Sequence, residues 1–185
     1  MKTVTIFGSS QAGAQSSAYR EAERLGRLLA EAGYAICNGG YGGLMEATAR
    51  GARAAGGHTI GVTCTIWRRR PSPFIVEEVR THTFPERLMT LIDRGDAYIA
   101  LPGGTGTLAE LALSWEMMNK DSLAPVVGGR KPLLAAAPYW RPVIACLEQE
   151  SLLEGADRAV VAAALRVVTF FETPEEAVAK LHGNP

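Results

Sequence analysis

The chain has 185 residues, 47% hydrophobic and 21% charged, the composition of a globular protein rather than a disordered segment. Nineteen basic and nineteen acidic residues leave no net charge, which removes the global electrostatic case for binding nucleic acid. No apolar run reaches the roughly 18 residues of a membrane span, and MKTVTIFG lacks the apolar core of a signal peptide, so a cytoplasmic protein of one domain, residues 1–185, is expected.

Lys2–Phe7 (KTVTIF) is rich in β-branched residues and predicts a strand that ends in the turn Gly8-Ser9-Ser10. Leu25, Leu28, Leu29 and Ala32 then fall at i, i+3, i+4 and i+7, one face of a helix that stops at Gly33. Tyr34–Cys37 is a second strand, and Asn38–Gly43 (NGGYGG) a glycine-rich loop opening the helix LMEATARGARAA. Thr59–Cys64 is a third strand. Residues 65–81 read as an irregular excursion, because TIWRRRPSPF holds two prolines and three consecutive arginines. A helix follows at about Glu86–Arg94, then a fourth strand, Ala97–Leu101. Pro102–Thr107 (PGGTGT) is a second glycine-rich loop, and the helix behind it, about Thr107–Asn119, is apolar nearly all round. Pro132–Ala136 predicts a strand, Tyr139–Gln149 a helix and Arg166–Phe171 a last strand. Thr173 caps a final helix, with Pro174 at its first position and Glu175 and Glu176 in its first turn. Short apolar strands alternating with helices predict an α/β fold: a doubly wound parallel sheet with helices on both faces.

In such a sheet, ligands bind beyond the carboxyl ends of the strands. Three junctions there carry small residues: Gly8-Ser9-Ser10, Asn38–Gly43 and Pro102–Thr107. Each offers backbone N–H groups at a helix start, a setting that favours a phosphate. GSSQAG is not the dinucleotide fingerprint GxGxxG, and no lysine sits in any of these turns, so neither plain dinucleotide binding nor ATP hydrolysis is indicated. Glu110 lies early in the helix behind PGGTGT, where the helix dipole should keep its carboxylate ionised. Arg87 lies early in a helix antiparallel to the fourth strand, so it should reach the same edge and hold a phosphate or a ribose hydroxyl. Arg68, Arg69 and Arg70 cluster near that edge. Cys37, Cys64 and Cys146, and His58, His82 and His182, are too scattered for a disulfide framework or a metal centre.

PGGTGTLAE at Pro102–Glu110 matches the PGGxGTxxE motif of the LONELY GUY (LOG) family, and the chain resembles that family over most of its length. Gly8-Ser9-Ser10 is similar to the family's first turn, NGGYGGLMEATARGARAAGG to its GGGxxGLM helix start, and Arg87-Leu88 to its Arg-Lys motif. The resemblance implies a Rossmann-like homodimer that hydrolyses the N-glycosidic bond of a nucleoside 5′-monophosphate, a cytokinin riboside monophosphate or an AMP-like substrate, without a cofactor. By position it makes Arg87 and Glu110 the catalytic pair. It has Gly103, Gly104, Gly106 and Thr107 cradle the 5′-phosphate, and Gly8, Ser9, Ser10, Gly39, Gly40 and Thr105, in the same three junctions, are the further expected substrate and phosphate contacts. Leu88, Asn38, Thr105 and Ala109 depart from the family pattern. The alternative is a carrier that binds a phosphorylated ligand, a molybdenum cofactor or other pterin or a nucleotide, without cleaving it. The label "possible lysine decarboxylase", borne by many bacterial members, would require a Schiff-base lysine at the glycine loops, and Lys2, Lys120, Lys131 and Lys180 lie elsewhere.

Overall fold

The computed structural model describes residues 1–183. The first half runs β1 (Thr3–Phe7), α1 (Ser17–Glu31), β2 (Ala35–Asn38), α2 (Leu44–Ala54), β3 (Thr59–Cys64), β4 (Glu77–Thr81) and α3 (Phe84–Arg94). The second half runs β5 (Ala97–Ala100), α4 (Thr105–Asn119), β6 (Leu133–Ala136), α5 (Ala137–Ala145), α6 (Arg158–Leu165), β7 (Val168–Phe171) and α7 (Pro174–His182). The strands form one seven-stranded sheet in the order β4-β3-β2-β1-β5-β6-β7. Every pairing is parallel.

The expected doubly wound fold is present. The chain winds outward from β1 to β4, returns to pair β5 with β1, and winds outward again the other way. Right-handed crossovers in opposite directions place α1 and α4 on opposite faces, and the strand order reverses between β1 and β5. The central strands have no wet face, which is why they read as continuous apolar runs. Val4, Ile6, Phe7, Ile36 and Ile99 are buried, and Phe7 stacks on Tyr98 with ring centroids 6.1 Å apart. On one face α1 lies so close to α2 that a Cβ at Gly26 would strike the Thr48 carbonyl, and one at Gly51 the Glu23 carbonyl.

The excursion at residues 65–81 ends in a strand that the sequence reading placed in a loop. β4 (EEVRT) pairs in register with β3, from Ile60↔Glu77 to Cys64↔Thr81. As the edge strand it keeps Glu78 and Arg80 exposed, so it lacks the apolar run that marked the others. The helix expected over Tyr139–Gln149 is α5, ending at Ala145, followed by a 3₁₀ segment over Cys146–Leu152. α6 and a 3₁₀ turn at Ala124–Val127 had no counterpart among the expected elements. Among the described residues no helix is long and apolar enough to cross a membrane.

Candidate active site

At the point where strand order reverses, a cavity of about 360 Å³ opens beyond the carboxyl ends of the central strands. One wall is Gly8–Gln11, leaving β1, and the start of α4, Gly104–Thr107, leaving β5. Across from these stand Arg87 and Phe84 of α3, Tyr41 and Met45 at the entry to α2, and Trp67 and Arg69 from the turn after β3. Glu110 lies at the cavity surface, one turn into α4.

Arg87 is fixed on several sides. Thr83 and Glu86 form a reciprocal capping box that starts α3 and sets the direction of its first turns. The Arg87 Nε donates to the Val62 carbonyl at 2.9 Å, and Nη1 donates to Glu110 Oε1 at 3.2 Å. Its guanidinium lies over the Trp67 ring, 5.2 Å from the centroid. A Cβ at Gly39 would collide with that guanidinium, so the glycine leaves room for the arginine. Both partners of the ion pair are buried, Arg87 at 5% exposure and Glu110 at 8%.

Burial governs the carboxyl. Removal from water pushes Glu110 up to about 7, although Arg87 beside it pulls the other way. The sequence reading expected the helix dipole to keep this group ionised, but desolvation outweighs that help. Glu110 is therefore poised between acid and carboxylate near neutral pH, a property useful for proton transfer.

The N-terminus of α4 is open. Ser16, Thr83, Asp157 and Thr173 cap α1, α3, α6 and α7 through their side chains, whereas Gly104 caps α4 with none. The helix makes its first internal bond from Leu108 N–H to the Gly104 carbonyl at 2.9 Å, which leaves the amides of its first turn for a ligand. The loops beneath are tied to each other. Ser9 N–H donates to the Pro102 carbonyl at 3.0 Å, Leu44 N–H to the Ser9 carbonyl at 2.8 Å, and the Tyr139 hydroxyl to the Gly103 carbonyl at 2.6 Å.

Of the residues singled out in the sequence, Gly8, Ser9, Ser10, Arg87, Gly104, Thr105, Gly106, Thr107 and Glu110 meet at this one cavity. Gly39, Gly40 and Gly103 do not line it. Gly39 backs Arg87, and Gly103 packs on the Thr107 side chain. The Gly40 N–H is donated to Asn38 Oδ1 at 2.8 Å, and its carbonyl accepts from Ser72 N–H at 2.8 Å. Asn38, where the family pattern has glycine, is fully buried and also donates to the Met45 carbonyl at 2.9 Å. Tyr41, Trp67 and Phe84 were not anticipated as cavity walls, whereas Arg69 comes from the arginine cluster expected near this edge. Tyr41 sat in view among the glycines of NGGYGG, and Trp67 stood beside the arginine run. Among the described residues no three His, Cys, Asp or Glu side chains come together as a metal-binding group, and no lysine lines the cavity.

Residues 1–123 match the SLOG cluster4 family. A cytokinin riboside 5′-monophosphate phosphoribohydrolase of Rhodococcoides fascians is 30% identical over 157 residues, spanning 82% of this chain and 76% of that one. One of the same name from Mycobacterium tuberculosis is 39% identical over 97 residues, 51% of this chain and about half (52%) of that relative's length. In fold, the molybdenum cofactor binding protein of Rippkaea orientalis superposes with a TM-score of 0.73 at 23% identity, covering 98% of this chain and 95% of that chain. The glycine loops, the matched SLOG cluster4 family model and the relative from Rhodococcoides together make the chain a member of the LOG family.

Proposed function

We propose that the cavity binds a nucleoside 5′-monophosphate and hydrolyses its N-glycosidic bond, releasing the free base and ribose 5-phosphate. The observation that carries this reading is the buried Arg87–Glu110 pair facing the same cavity as the uncapped start of α4. The phosphate sits on the first-turn amides of α4, with Ser9 and Ser10 beside them on the same wall. The ribose then lies beside Glu110. As the C1′–N bond breaks, its electron pair leaves with the base, and positive charge builds on C1′ and the ring oxygen. The Glu110 carboxylate, held by Arg87, stabilises that charge and orients a water molecule. The water oxygen bonds to C1′ and gives a proton to Glu110, the departing base nitrogen takes up a proton from solvent water, and Glu110 then returns its proton to solvent. The names of the relatives from Rhodococcoides and Mycobacterium support the same reaction class.

The test is chromatography of AMP and of cytokinin riboside monophosphates incubated with the protein. Wild type should release base, and Glu110→Gln should not while still binding the nucleotide. Tight binding of the nucleotides, or of a phosphorylated pterin, with no base released by wild type would make the chain a non-hydrolytic binding protein instead, as its neighbour in fold from Rippkaea is named for binding the molybdenum cofactor.

We propose further that the chain pairs with a second copy through α4. Leu108 and Ala112 form an exposed apolar stripe on that helix, with Leu147 and Val160 exposed on the neighbouring segments. A surface of this kind is what a two-fold interface buries.

A further inference from the structure

Two cavities share a wall of three side chains. The nucleotide-sized cavity of about 360 Å³ and a second of about 210 Å³ are both bounded by Tyr41, Trp67 and Arg69. The second is lined beyond them by polar groups of β3 and β4, among them Thr63, Glu78 and Arg80. Trp67 stands between the two. Its ring meets Tyr41 edge to face at 6.0 Å and Phe84 at 5.9 Å. Tyr41 is locked, since its hydroxyl donates to the Cys64 carbonyl at 3.2 Å and accepts from the Cys64 N–H at 2.9 Å. Trp67 belongs instead to a short turn, held by its N–H to the Cys64 carbonyl at 3.2 Å and by Arg69 N–H to its own carbonyl at 2.8 Å. It is 36% exposed.

The reading above puts the phosphate at α4 and C1′ beside Glu110, which directs the base toward the aromatic wall. We infer that Trp67 is a specificity-determining partition: it gives a compact, unmodified purine a face to stack on, and it bars a base with a bulky exocyclic substituent from extending into the second cavity. This rests on the phosphoribohydrolase reading for the orientation of the nucleotide, though not for its cleavage. Trp67 acts through shape and stacking and takes no part in bond breaking.

The test compares AMP with N6-benzyl-AMP on wild type, Trp67→Ala and Trp67→Phe. Base release gives kcat/KM, calorimetry gives Kd, and inhibition by ribose 5-phosphate reports on the phosphate pole. Wild type should favour AMP by about tenfold or more, the discrimination a shaped pocket achieves. Trp67→Ala should weaken AMP by about 5- to 100-fold, as loss of a base–aromatic stack does, and should gain on the benzyl derivative so that the preference shrinks or inverts. Trp67→Phe should fall between, and ribose 5-phosphate should inhibit all three proteins alike. Equal preference in wild type overturns the inference. So does a loss in Trp67→Ala shared by both nucleotides and ribose 5-phosphate, which would make Trp67 merely a support for Arg87. If wild type binds the nucleotides but releases no base, the hydrolytic reading alone fails, and the ratio of Kd values decides on Trp67 by the same criteria. If wild type binds neither nucleotide, both fail.

Discussion

At the scale of single residues, the protonation of Glu110 sets opposite demands on chemistry and on stability. Its carboxyl titrates near 7 in the fold, against an ordinary value of 4.5. A group whose value is raised on folding stabilises the native state below its unfolded value, and that contribution is lost as pH rises through the folded value. The resistance of wild type to urea should therefore decline between about pH 4.5 and 7, and Glu110→Gln should flatten that part of the profile. Base release should run the other way, rising with pH through about 7 as the carboxylate forms. In Glu110→Gln, kcat should drop by about 100-fold or more, the usual scale for removing a transition-state charge partner, while Kd for AMP changes little. A parallel loss in Kd would make Glu110 a binding residue only. At Gly39, alanine should push the guanidinium of Arg87 out of place, costing about 1–3 kcal/mol by overpacking and lowering kcat with it; unchanged kcat would show that the position of Arg87 is not critical. These residues differed in how readable they were. Glu110 and Arg87 stood in recognisable motifs, but nothing local showed how deeply Glu110 would be buried, because the side chain it pairs with comes from α3 rather than from α4.

At the scale of elements, the site depends on where helices begin. The Thr83 hydroxyl accepts from Glu86 N–H at 3.2 Å and fixes the first turn of α3, from which Arg87 reaches the cavity. Thr83→Ala should cost about 1 kcal/mol of stability and raise KM or lower kcat by loosening Arg87; a stability loss with unchanged kinetics would separate the cap from the site. The elements themselves were largely legible. Strands buried on both faces announce themselves by apolar runs, and α7 by Thr173-Pro174 with two acidic residues in its first turn. β4 was hidden because an edge strand has one open side, and its charged residues pair with one another and with neighbours: Glu78 with Arg80, Glu77 with Arg94. α6, built from RAVVAAAL, lay in a stretch where small apolar residues gave no helical stripe to read. Trp67 was hidden for a related reason. A turn places side chains by its backbone path, and no periodicity reports that path.

At the scale of the whole molecule, the sheet reversal brings residues as distant as Ser9 and Glu110 into one cavity, so the site exists only when the central strands are assembled. The second scale of assembly is the proposed pairing through α4. Leu108 is 41% exposed on the helix whose opposite side holds Glu110. Leu108→Glu should convert a dimer to a monomer in sedimentation at micromolar concentration, and because α4 also forms the proposed phosphate pole it should raise KM as well. A wild-type protein that already sediments as a monomer would remove the proposal.

The ion pair inside the cavity also bears on how such a site can be lost over generations. Its two members are not equally dispensable. If Arg87 is replaced first, the abandoned carboxyl can take up a proton and rest neutral in its dry setting. If Glu110 is replaced first, the guanidinium keeps its charge at any pH a cell experiences, stranded out of water without its counterion. Decay of the proposed activity in descendants of this chain thus has a preferred order, with the arginine vanishing before the glutamate. A lineage that retains a glutamate at 110 above an apolar residue at 87 would be the fossil of that path.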